Sequence, residues 1–92
     1  MTNFAVTYSY GDDVDTINAI RPSHREWLGE QLAAGSLLAS GPMVNRPAAL
    51  LIWKAESIDA LNALLDQDPF DIAGVIVERT VEEWNTVFGP WS

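Results

Sequence analysis

Polar and apolar residues alternate at the start of the chain, with Phe4, Val6, Tyr8 and Tyr10 on one side and Ala5, Thr7 and Ser9 on the other. A period of two in aromatic and β-branched residues predicts a strand over Phe4–Tyr10, ended by Gly11-Asp12-Asp13. The period then lengthens. Trp27, Leu28, Gln31 and Leu32 keep helical spacing, and Gly35 supplies a C-terminal stop. Pro22 suits the first turn of a helix, where its missing N–H has no partner to lose, so the helix is expected over 22–34. Asp15 to Ile20 adds at most a helical turn in front, because a proline inside a continuous helix removes a hydrogen bond and bends the axis.

Leu37 to Val44 predicts a second strand bending at Gly41-Pro42, and Ala48 to Lys54 a third, joined into a hairpin by Asn45-Arg46-Pro47. Ser57 is a good N-cap with Asp59 in the turn after it, and Ile58, Leu61, Leu64 and Leu65 make an apolar stripe. A second helix therefore covers 57–66. Asp68 precedes Pro69, which opens a short helical turn through Phe70 to Ala73 before Gly74. Val75 to Trp84 alternates again and forms the last strand. The order β-α-β-β-α-β predicts an α+β ferredoxin-like sandwich, with both helices on one face of a four-stranded antiparallel sheet.

The other face of that sheet is expected to be covered as well. Ala48-Ala49-Leu50-Leu51-Ile52-Trp53 is apolar at consecutive positions, and neighbours on a strand point to opposite faces. An uncovered apolar face forfeits roughly 25 cal/mol per Å², so a homodimer with two sheets face to face is the expected assembly, with higher oligomers open. Chain length agrees. Ninety-two residues make a single domain over 1–92, and a chain of that size buries only a modest share of its surface. No cysteine is present for a disulfide, and the lone histidine makes a metal site improbable.

Charge removes other partners. Thirteen Asp and Glu against five Lys and Arg, for a net −8, leave no basic stripe for a phosphate backbone, so nucleic acid is excluded. No apolar run approaches membrane-spanning length, and Met1-Thr2-Asn3-Phe4 lacks the pattern of a signal peptide. A cytoplasmic protein without membrane association is expected.

The chemical inventory is short. Neither a glycine-rich phosphate loop nor paired metal ligands occur, and no cofactor is expected. Only His24 has a side chain that ordinarily titrates near neutral pH. Counted from Pro22 it lies in the first helical turn, with Trp27 and Leu28 at i+3 and i+4. There desolvation and the positive end of the helix dipole would both favour the neutral ring, leaving it available as a base. The alternative is a histidine satisfied by a backbone carbonyl. Asp12, Asp13 and Asp15 read as a solvated turn, and Glu78, Glu82 and Glu83 as a solvated strand edge. Asp68 has two roles open to it: a helix N-cap, or an acceptor that fixes the tautomer and orientation of a histidine.

Arg21-Pro22-Ser23-His24, Trp27-Leu28, Gly35, Ser40-Gly41-Pro42, Asp68-Pro69-Phe70 and Ala73-Gly74 together resemble the YCII-related (YciI-like) family, in sequence and in order, from Phe4 to Trp84. The resemblance implies a dimeric α+β barrel whose active site is a His and Asp dyad, falling here on His24 and Asp68. A characterised member of that family is a dehydrochlorinase of a chlorinated hydroxyhydroquinone. Ser40 stands where the family often has alanine, a change that is either simply tolerated or adds a hydroxyl to the pocket.

The resulting expectation is a cofactor-independent enzyme in which His24 is general base or acid and Asp68 holds its ring. Lyase, isomerase or dehydrochlorinase-like chemistry on a small oxygenated metabolite would suit such a base. Arg21 would bind a carboxylate or neutralise an enolate, or else pair on the surface with Asp13 or Asp15. Ser40, Gly41, Pro42 and Phe70 would line the substrate site, with Met43 as further apolar wall and Trp27 either there or, as large aromatics in small cores usually are, packed in the core. The competing expectation is a non-catalytic module that binds a small molecule or anion.

Overall fold

The computed structural model describes residues 1–92. Its elements run β1 (Thr2–Tyr10), α1 (Val14–Ala34), β2 (Leu37–Pro42), β3 (Ala48–Ala55), α2 (Ile58–Leu65), α3 (Pro69–Ile72) and β4 (Ile76–Glu83). The four strands form one antiparallel sheet in the order β2-β3-β1-β4, so the two central strands come from the first and second halves of the chain. This is the ferredoxin-like α+β arrangement. No helix is long and apolar enough to cross a membrane.

Local signals account for most of the boundaries. Gly35 ends α1 in the left-handed region at φ 85°, which a residue without Cβ adopts at little cost. The Ser57 side chain accepts from the Ala60 backbone N–H at 3.1 Å and starts α2. One expectation fails. α1 begins at Val14, and Pro22 lies inside it. Asp13, read as part of a solvated turn, is its N-cap: Oδ1 accepts from the Thr16 backbone N–H and Oδ2 from the Thr16 hydroxyl at 2.7 Å. An interior proline typically costs about 3 kcal/mol. Tertiary packing opposes that cost, because Ile17, one turn before the proline, is buried with Phe70 and Val75. His24 is consequently in the middle of a long helix, and the dipole argument for a first-turn position does not apply to it.

The inner face of the sheet holds the core. Phe4, Val6 and Tyr8 of β1 pack with Leu51 and Trp53 of β3 and with Leu61 and Leu65 of α2. Outward positions pair Ala5 with Ile52, Thr7 with Leu50 and Ser9 with Ala48 across β1 and β3. The bare patch is narrower than the sequence implies: within the single chain Ile52 is already 6% exposed, whereas Leu50 is 39% exposed. After β4 the chain turns back, and the Asn3 side-chain amide donates to the Trp91 carbonyl at 2.9 Å.

Candidate active site

Asp68 is placed by its own backbone role. It is the N-cap of α3, extended at φ −61° and ψ 126°, and its Oδ1 accepts from the Phe70 backbone N–H at 2.9 Å. Pro69 at the first helical position gives up no hydrogen bond there. The same Oδ1 lies 2.7 Å from Nδ1 of His24, forty-four residues away in sequence. The two roles that the sequence left open for Asp68 therefore coexist on one oxygen. Both side chains are buried, His24 at 7% exposure and Asp68 at 0%. A carboxylate can only accept, so in the neutral ring the pair assigns the proton to Nδ1 and the lone pair to Nε2.

The imidazole is held from its face as well as its edge. Phe70 stacks on it at 3.9 Å between centroids with 14° between planes, and Tyr10 meets Phe70 edge-on at 5.4 Å. Behind Asp68 the Tyr8 hydroxyl and Asp68 Oδ2 are buried and lack a hydrogen-bond partner. Burial pushes the Tyr8 hydroxyl above its ordinary range, and the Asp68 charge adds to this; the two groups are close enough to interact but lie outside hydrogen-bond geometry. Burial and then the same charge push Tyr10 up to about 12, against a smaller lowering by Arg21.

His24 opens on a cavity of about 220 Å³ between α1, the β2–β3 hairpin and Phe70. Arg21, His24, Ser40, Gly41, Pro42 and Phe70, the residues expected at the site, all line it, while Asp68 lies behind the ring. Register explains the hairpin's part: Ser40 pairs with Leu51 and Pro42 with Ala49 on the inner face. A Cβ added at Gly41 meets nothing within 4 Å, so steric need does not account for that glycine. Arg21 donates to Asn18 Oδ1 at 2.8 Å and makes no ion pair with Asp13 or Asp15. Neither Trp27 nor Met43 lines this cavity, and of the two roles open to Trp27 the structure shows the core one. Trp27 packs on Trp53 at 5.7 Å, and Met43 lines a neighbouring cavity.

Tyr10, Arg25, Leu28, Ala49 and Leu51 also line the cavity and were not expected there from the sequence. Starting the helix at Pro22 hid the signal. With α1 running from Val14, Arg21, His24, Arg25 and Leu28 follow at i, i+3, i+4 and i+7 and share one face. Tyr10 continues the inward alternation of β1.

Comparison with known proteins gives a family and a fold. The model of the YCII-related domain matches residues 1–85. No curated protein sequence matches the chain. Among solved structures the chain is similar to 5-chloro-2-hydroxyhydroquinone dehydrochlorinase from Burkholderia phenoliruptrix, determined with 2,5-dihydroxybenzoquinone, at TM-score 0.80 and 22% identity over 90% of this chain and 93% of that one. It is also similar to muconolactone isomerase, at TM-score 0.66 and 16% identity over 98% and 93% of the two chains. A third similar structure is an antibiotic biosynthesis monooxygenase, at TM-score 0.59 and 16% identity over 95% and 99% of the two chains.

Proposed function

The chain belongs to the YCII-related domain family, and from that premise we propose that it is a cofactor-independent enzyme acting by proton transfer on a small oxygenated, ring-shaped metabolite. His24 is the base and Asp68 its positioning residue. The observation that carries this reading is the 2.7 Å contact between His24 Nδ1 and Asp68 Oδ1, beside a cavity of about 220 Å³. With Nδ1–H bound to the carboxylate, the Nε2 lone pair is free to take a proton from carbon or oxygen, and the imidazolium that forms faces a negative charge. The electron pair left on the substrate has two outcomes. It expels a leaving group from the neighbouring carbon, or the proton returns at a different carbon and the double bond has moved. The names of the similar dehydrochlorinase and isomerase correspond to those outcomes in turn. Arg21 would stabilise the enolate oxygen that develops in either. Phe70, stacked on His24, restricts rotation of the base.

The test is a thermal-shift series with 2,5-dihydroxybenzoquinone and a panel of cyclic enols, run on wild type and His24→Ala in parallel. A ligand at about 100 times its Kd should stabilise the wild type by about 2.7 kcal/mol and the variant by clearly less. Equal shifts in both proteins would remove His24 from the site. For any ligand that binds, proton exchange at its C–H bonds in heavy water, followed by NMR, should slow by about 10²–10⁴-fold in the variant. Binding without His24-dependent exchange would mark a non-catalytic binding module instead.

The homodimer belongs to the same reading. A second copy set against the outer face would cover Leu50, which is 39% exposed on a central strand. Light scattering at micromolar concentration should give twice the 10.1 kDa of one chain, and a monomer would count against the dimer.

A further inference from the structure

Basic residues are scarce in this chain, five against thirteen acids, and their placement is uneven. Arg21 and Arg25 line the cavity beside His24, and no Asp or Glu lines it. A second cavity of about 230 Å³ adjoins the first, sharing Tyr10, Arg21 and Pro42, and adds Arg46 from the β2–β3 hairpin, again with no acidic residue in its wall. Three of the five cations therefore line two cavities that share a wall, in a protein of net charge −8. None of the three has a carboxylate within 4 Å; Arg79 alone among the five is ion-paired, with Asp66 and Asp71.

This arrangement is costly without a ligand. Arg21 and Arg25 are four residues apart on one helix face, where like charges oppose each other by a few tenths of a kcal/mol. An anion reverses the sign of that contribution. Guanidinium groups suit it because two parallel N–H donors match a carboxylate or a pair of ring oxygens. Low-dielectric walls also focus the positive potential locally, whatever the net charge of the whole molecule.

We propose that the two cavities form one anion-binding site joined at Arg21, and that the ligand is a small organic dianion. One ionised oxygen group sits near His24 between Arg21 and Arg25, and the second reaches toward Arg46. The location of the reacting end rests on the proton-transfer reading above; the charge of the ligand is the new element. Ser40 and Pro42, on the wall between α1 and the hairpin, bound the space where the ring would lie. Tyr10 borders both cavities.

Isothermal titration calorimetry with benzyl alcohol, benzoate and the three phthalate isomers tests this without knowing the natural ligand. At low ionic strength at least one phthalate should bind wild type about tenfold more tightly than benzoate, and benzyl alcohol should bind more weakly than either. Raising salt to about 0.15 M should narrow the gap, since part of the pull is screened. Arg46→Gln should reduce the phthalate to the affinity of benzoate and leave benzoate unchanged, whereas Arg25→Gln should weaken both. Both arginines are exposed, so these variants should keep the fold, which near-ultraviolet circular dichroism verifies. Equal affinity for benzoate and all phthalates, no binding of any anion, or a phthalate preference that survives Arg46→Gln would each overturn the proposal. Calorimetry reads binding and not proton transfer, so the two readings fail separately. A protein that binds phthalate through Arg46 but exchanges no ligand proton would lose the base and keep the anion site.

Discussion

The inner face of the sheet has two unlike ends. At one, Phe4, Val6, Leu37, Trp53, Leu61 and Leu65 close into an apolar cluster to which Trp27 adds its ring from α1. At the other, only Ile17, Phe70 and Val75 form an apolar cluster, and the remaining space holds His24, Asp68, two arginines and a cavity. Both ends are built from the same strands and the same long helix. β1 passes through both, with Phe4 in the apolar cluster and Tyr10 bordering the cavity. Area removed from water accumulates at the first end, at roughly 25 cal/mol per Å² of apolar surface, and it is this surplus that lets the second end keep buried polar atoms. Stability and chemistry are thus separated around α1 within about one turn, His24 facing the cavity and Trp27, three residues on, packing against Trp53.

Truncation at the apolar end should have the largest effect on the fold. Trp53 is fully buried, and Trp53→Ala is expected to cost about 3–5 kcal/mol in urea unfolding followed by circular dichroism. That is a large share of the stability of an ordinary small domain. Trp53→Phe should cost much less, because the indole N–H that it removes has no partner. If Trp53→Ala unfolded the chain no more easily than substitutions around the cavity, the division of labour between the two ends would be wrong.

The apolar end was the more legible of the two. Its strands alternate, its second helix carries a cap and a stripe, and Ser57, Leu61 and Leu65 lie where those patterns place them. The site end was legible in its residues and not in its geometry. Asp68 could be read as a cap or as a partner of histidine, and no local rule chooses between two roles that one oxygen performs together. Pro22 misled for a physical reason. The preference of proline for the first turn is a local energy, whereas the turns before it are held by Ile17 packing on Phe70 and Val75, residues some fifty positions away. Arg25 was lost with it, since only the full helix aligns Arg21 with Arg25.

A smaller loss of stability, and a larger change of state, is expected at the dyad. Asp68→Ala removes the acceptor of His24 Nδ1 and of the Phe70 backbone N–H, at about 1–3 kcal/mol. The chain has one histidine, so its ¹⁵N resonances report the tautomer without ambiguity. In wild type at a pH where the ring is neutral, Nδ1 should carry the proton. In Asp68→Ala that bias should disappear, with the Nε2–H form gaining population. An unchanged tautomer would mean that Asp68 serves only as the cap of α3.

The smallest effect at neutral pH, and the sharpest contrast between the ends, comes from the tyrosines. The chain has only two, Tyr8 and Tyr10, and both hydroxyls are raised, first by burial and then by the Asp68 charge. Tyr10 is pushed up to about 12 from an ordinary value of 10.0. A raised folded-state value means that the neutral hydroxyl is preferred in the fold, so its contribution is fully present below pH ~10 and is lost as pH rises toward 12. Tyrosinate absorbance should therefore show no ionisation step near pH 10 in the folded protein. Above that pH stability should fall, and ionisation should track unfolding. Asp68→Asn removes the second cause and leaves the first, so both tyrosines should titrate lower than in wild type and still above 10.0. Nothing of the kind is expected from Trp53→Phe, which alters the apolar end alone. A tyrosine step at the ordinary position in wild type would show that water reaches the back of the dyad, and the site end would then be wetter than its packing implies.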